Sequence, residues 1–77
     1  MRGDRLKAAR KRLRLSQREL AKQIGITATD IYRLERGLVK DPHSSRVVEL
    51  AQALGVSTDY LLGLTDEDEE ERLAAAR

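Results

Sequence analysis

The chain has 77 residues, no cysteine, one histidine and only two aromatic side chains, both tyrosine, and its 15 Lys/Arg against 13 Asp/Glu leave a net charge of +2. That length suits one domain with a small core, burying roughly 60% of its unfolded surface, and the composition rules out disulfides and argues against a structural zinc site. With no run near about 18 apolar residues and no apolar leader, the sequence predicts a soluble, cytoplasmic protein.

The charge is segregated: residues 1–46 hold 13 Lys/Arg against 5 Asp/Glu, and residues 47–77 hold 2 against 8. A basic front half suits a protein that presents one face to a polyanion, although charged faces are also simply solvated. Stability must come from packed helices, because Leu, Ala, Arg, Glu and Lys abound while β-branched and aromatic residues are sparse. Residues 4–13 read as a first helix, with Leu6, Ala9 and Leu13 spaced along one inward face. Lys7, Lys11 and Arg14 occupy the opposite side with Arg10 and Arg12 nearby, and these cations are candidates for phosphate contact or for solvated surface.

The stretch LSQRELAKQIGITATDIYRLERG, residues 15–37, contains two helix starts. Ser16 and Glu19 form a capping box, flanked by Leu15 and Leu20 as a hydrophobic staple, and predict a second helix over residues 17–24. Thr27 and Asp30, flanked by Ile26 and Ile31, repeat the pattern and predict a third over residues 28–36. Gly25 between them can take the left-handed turn, Ala21 keeps the second helix slim at the crossing, and Gly37 stops the third. This is the layout of a helix-turn-helix.

The same residues resemble the core of the lambda-repressor-like, Xre/Cro type of DNA-binding domain. That resemblance implies an all-α, compact five-helix bundle whose third helix enters the major groove of duplex DNA while the second crosses the backbone. It also implies an ion pair between Arg10 and Glu35, and a backbone contact from Gln17, whose place at a helix N-terminus already favours a phosphate.

Pro42 makes residues 38–43 a loop. The resembling domains grip phosphate with this loop, which makes Lys40 and His43 candidates beside Arg10, Gln17 and Arg36. A fourth helix is expected over residues 45–54, capped by Ser44 or Ser45 and stopped by Gly55, with Val47, Leu50, Ala51 and Leu54 inward. Ser57 caps a fifth, stapled by Val56 and Leu61 and ended by Gly63. Gly55, Val56, Ser57, Leu61 and Leu62 match the "GVS…LL" ending of the resembling domains, so the likeness runs from about Leu6 to Leu64. The domain is therefore assigned to residues 1–64. Residues 65–77 form an acidic tail, either a sixth helix capped by Thr65 or a disordered segment.

On the third helix, Ile31 and Leu34 face inward and leave Ala28, Thr29, Tyr32 and Arg33 to read bases. Arg33 is suited to a bidentate contact with guanine, and Ala28 to a methyl contact at most. Asp30 turns back to its box. Leu62 and Leu64, without an obvious core partner, are the expected homodimer surface, since one domain of this size covers too little DNA for a rare site. The function expected is a sequence-specific transcriptional regulator, a repressor on a palindromic operator. The alternative is a protein-interaction module or antitoxin-like adaptor on the same scaffold. Catalysis has almost no chemical groups to draw on, and no metal, cofactor or small-molecule effector is implied.

Overall fold

The helix starts written into the sequence are built by side-chain chemistry. In the computed structural model, which describes residues 1–66, five helices follow one another: α1 (Gly3–Arg12), α2 (Gln17–Ile24), α3 (Ala28–Glu35), α4 (Ser44–Leu54) and α5 (Thr58–Leu62). Ser16 Oγ accepts from the Glu19 N–H at 3.0 Å while Glu19 Oε1 accepts from the Ser16 N–H at 2.9 Å. Thr27 and Asp30 exchange the same two bonds at 3.1 Å each, and Ser57 Oγ accepts from the Tyr60 N–H at 3.0 Å. Each bond satisfies a donor that the first turn of a helix leaves without an intrahelical partner.

The start of α4 differs from expectation. Its cap is His43 rather than a serine: after Pro42 the His43 backbone is extended, Ser44 is already helical, and the His43 ring Nδ1 accepts from the Ser45 N–H at 3.3 Å. The end of α1 differs too. The helix closes at Arg12, so Leu13 leaves the helical face and is 46% exposed instead of lying inward. Leu15, beyond the turn, packs against the core in its place. At the end of α3, Arg36 is the capping residue and not part of the helix.

Every helix contributes to one core. Leu6 of α1, Leu20 of α2, Ile31 of α3, Leu50 and Leu54 of α4 and Leu61 of α5 are fully buried. Each such side chain stabilises the fold by about 1.5–3 kcal/mol relative to exposure, which is how a chain this short reaches a packed interior. The α2–α3 corner turns at Gly25, where φ is +74° and the Ile26 N–H donates back to Ala21 O at 2.9 Å.

The N-terminal segment closes the other side. The Arg2 N–H donates to Leu61 O at 2.7 Å. Arg5 lies 4.8 Å above the Tyr60 ring, donates to Tyr60 O at 2.9 Å and to the Thr65 carbonyl, and pairs with Asp66 at 2.7 Å. Gly3 meets the end of α3 so closely that a Cβ there would lie 2.4 Å from both the Leu34 and the Glu35 carbonyl oxygens. The expected tail helix lies, beyond Asp66, outside the described residues.

Candidate nucleic-acid interface

Helix α3 has two distinct sides. Ile31 and Leu34 are buried, whereas Thr29, Tyr32 and Arg33 are exposed and Ala28 is half-buried. Arg36, just past the last turn, holds its guanidinium 5.8 Å from the Tyr32 ring centroid, within range of a cation–π attraction. Asp30 is turned back to the start of its own helix and stays ionised there. Its carboxylate accepts from the Thr27 backbone N–H, and that bond, with smaller help from the Arg33 and Arg46 charges, holds it below the ordinary aspartate range.

The orientation of α3 is fixed by Glu35. Its Oε2 accepts from Arg10 Nε at 2.6 Å, and its Oε1 accepts from Arg10 Nη2 at 3.0 Å and from Gln17 Nε2 at 3.1 Å. Arg10 Nη1 donates to Leu15 O at 2.8 Å. One carboxylate thus joins α1, the α1–α2 turn, α2 and α3.

This geometry joins Arg10, one of the expected phosphate candidates, to Glu35 as the ion pair the resemblance implies. Its side chain is only 9% exposed, and Nε, Nη1 and Nη2 are all engaged inside the protein. The ion pair with Glu35 is the role the structure gives it. Gln17, half-buried at the first position of α2, donates one N–H to Glu35 and keeps a second.

Lys40 and His43 are exposed in the segment between α3 and α4. His43 Nδ1 is turned to Ser45, 2.8 Å from its Oγ and 3.3 Å from its backbone N, so Nε2 takes no part in the cap. Leu62 and Leu64 project beyond α5, the latter 73% exposed.

The family model described as helix-turn-helix, HTH_3, matches residues 6–61. The chain belongs to this helix-turn-helix family, the Xre/lambda-repressor-like domains. Among its relatives is the HTH-type transcriptional regulator ImmR of Bacillus subtilis (strain 168), 38% identical over 61 residues, or 79% of this chain and 47% of that protein. Another is repressor protein C2 of Salmonella phage P22, 37% identical over 60 residues, or 78% of this chain and 27% of that one. The chain therefore spans less than half the length of these two relatives.

A crystal structure of the P22 c2 repressor in complex with a synthetic operator superposes with a TM-score of 0.72 at 36% identity, covering 77% of this chain and 88% of that one. SinR, a master regulator for biofilm formation, in complex with DNA, gives 0.75 at 32% identity, covering 80% and 98%.

The helix-turn-helix match stops at Leu61, the last fully buried residue among those described. Gly3, Leu62, Leu64 and the Thr65–Asp66 end of the Arg5 contact lie outside it. Sequence reasoning did not find Gly3, Arg5 or the capping role of His43. Their partners are distant in the chain or, for His43, of an unusual capping type. Among the described residues no helix is long and apolar enough to cross a membrane.

Proposed function

We propose that this chain is the sequence-specific DNA-binding domain of a cytoplasmic transcriptional regulator that represses by occupying a palindromic operator. The observation that carries this reading is the divided surface of α3: one side is committed to the core, and the other offers Thr29, Tyr32 and Arg33, with Arg36 exposed just past the last turn. In the major groove, Ala28, Thr29, Tyr32 and Arg33 read bases, with Arg33 bidentate to a guanine. Gln17, Arg36, Lys40 and His43 hold phosphates and set the register. The likeness to a repressor solved on its operator supports the same reading. Two copies join through Leu62 and Leu64 and address half-sites about 34–36 Å apart. No catalytic step and no effector belong to this function, and the domain ends at about residue 64.

The test is equilibrium binding to a generic duplex as salt is raised, followed by selection from a random-sequence duplex library. Micromolar-range binding that falls steeply with salt, and a selected site with two-fold symmetry, are expected. A chain that binds no duplex at low salt would instead be a protein-interaction module on the same scaffold.

A further inference from the structure

In the sequence Lys7, Lys11 and Arg14 are three equivalent exposed cations, but the backbone separates them. Arg14 has φ +57°, the one non-glycine residue in the left-handed region among those described. It sits where α1 closes on itself, with the Arg14 N–H donating to Lys11 O at 2.9 Å and the Leu15 N–H donating to Arg10 O at 3.1 Å. Residues 25, 37, 55 and 63, which follow the other four helices, also have positive φ, and all four are glycine. At one helix end of five the chain therefore holds an arginine where its own practice is glycine, and where a Cβ crowds the following carbonyl.

Helix electrostatics do not account for this. The last turn of α1 already carries Arg10, Lys11 and Arg12. One more exposed cation gains less from the dipole than a side chain loses in the left-handed conformation. A conformation kept at a cost to stability points to function. The position is also rigid: the next residue, Leu15, is fastened through its carbonyl to Arg10, which holds Glu35 at the end of α3.

We infer that Arg14 is a phosphate-binding residue of duplex DNA, extending the interface from the α2–α3 face onto the α1–α2 turn. This rests on the DNA-binding reading above. The fastened backbone fixes where the Arg14 side chain starts, and its planar guanidinium can present two parallel N–H groups to one phosphate.

The experiment compares the full chain with Arg14→Gly and Arg14→Lys, recording thermal melting and fluorescence anisotropy on a generic 20-base-pair duplex from about 50 to 200 mM salt. Arg14→Gly should melt roughly 4 °C higher, because strain is relieved. It should bind about tenfold more weakly at the low-salt end and lower the slope of log K against log salt by about one. Arg14→Lys should keep the wild-type melting point and slope. An unchanged slope in Arg14→Gly, with the wild type binding normally, removes Arg14 from the interface and leaves the DNA reading standing. A Gly variant that melts lower shows that the arginine is kept for stability and overturns the inference. A wild type without salt-dependent duplex binding overturns both.

Discussion

Arg10 and Glu35 meet through two parallel hydrogen bonds, with side chains only 9% and 2% exposed. Removing either one leaves the other as an uncompensated buried charge, a change that costs about 3–5 kcal/mol. Against the total of roughly 5–15 kcal/mol typical of a domain, Arg10→Met or Glu35→Met should therefore leave a large unfolded population. The double variant, Met at both positions, should recover most of the loss, since well-packed apolar replacements of a buried pair are often neutral. Urea titrations of all four proteins measure the coupling. Strictly additive losses would mean that the pair acts as two independent side chains.

Gly3→Ala reverses the usual sign. In an open helix the change stabilises by up to about 1 kcal/mol. Here the new methyl would fall 2.4 Å from two carbonyl oxygens at the end of α3, so backbone must move. Overpacking of this kind costs about 1–3 kcal/mol, and the variant should melt below the wild type. A melting point above it would show that α1 can slide away freely.

Acid should loosen the helix-turn-helix at its caps. The Ser16 backbone N–H holds the Glu19 carboxyl below its ordinary range, and the Thr27 backbone N–H does the same for Asp30. Folded values below unfolded ones mean that the fold favours the deprotonated form. The stabilisation is then complete above the ordinary range of about 4 to 4.5 and is lost as pH falls through the lower folded values. Melting curves from pH 6 to 2.5 should drop below about pH 4, and the drop should shrink in Glu19→Gln/Asp30→Asn. An equal drop in that variant would place the acid sensitivity elsewhere.

Base reading and backbone grip separate by their response to sequence. Arg33→Ala should flatten preference at one base pair per half-site, a loss of about 1–3 kcal/mol of discrimination. Lys40→Ala should weaken all duplexes alike and lower the salt slope by about one. Competition binding on a panel of single-base operator variants reads both. An Arg33→Ala protein weakened uniformly would assign that residue to phosphate.

Assembly is tested by sedimentation with and without operator. Leu62→Lys/Leu64→Lys should shift the equilibrium towards monomer while leaving the melting point near wild type, because both side chains are exposed. A wild-type chain that stays monomeric and protects one asymmetric half-site would remove the dimer from the reading.

The parts of the fold legible in the sequence are those decided within four or five residues. Ser16 with Glu19, Thr27 with Asp30 and Ser57 each carry their partner nearby, so their helices start where the residues say. Gly25, Gly37, Gly55 and Gly63 stop them for the same reason. What could not be read depends on neighbours remote in the chain. Gly3 matters because of Leu34 and Glu35, and Arg5 because of Tyr60, Thr65 and Asp66. Leu13 follows the helical spacing but lies past the residue where α1 closes. His43 reads as a surface histidine until the extended backbone after Pro42 makes its ring nitrogen a cap. On the candidate site, the exposed row of α3 followed from its period and the Arg10–Glu35 pair from the family resemblance, whereas the burial of that pair and the Gln17 bond to the same carboxylate depend on how three helices meet.

The carboxylate of Glu35 also bears on thermodynamics. Because Arg10 and Gln17 already donate to it, and Arg10 in turn holds the Leu15 carbonyl, the relative tilt of α2 and α3 is set before any encounter. A partner meeting both helices at once need not arrest a Gln17 rotamer, an ordering that elsewhere costs about 0.5–1.5 kcal/mol per side chain. Association would then proceed close to rigid-body docking, with its entropy change dominated by released counterions and water rather than by the protein's own configurational freedom.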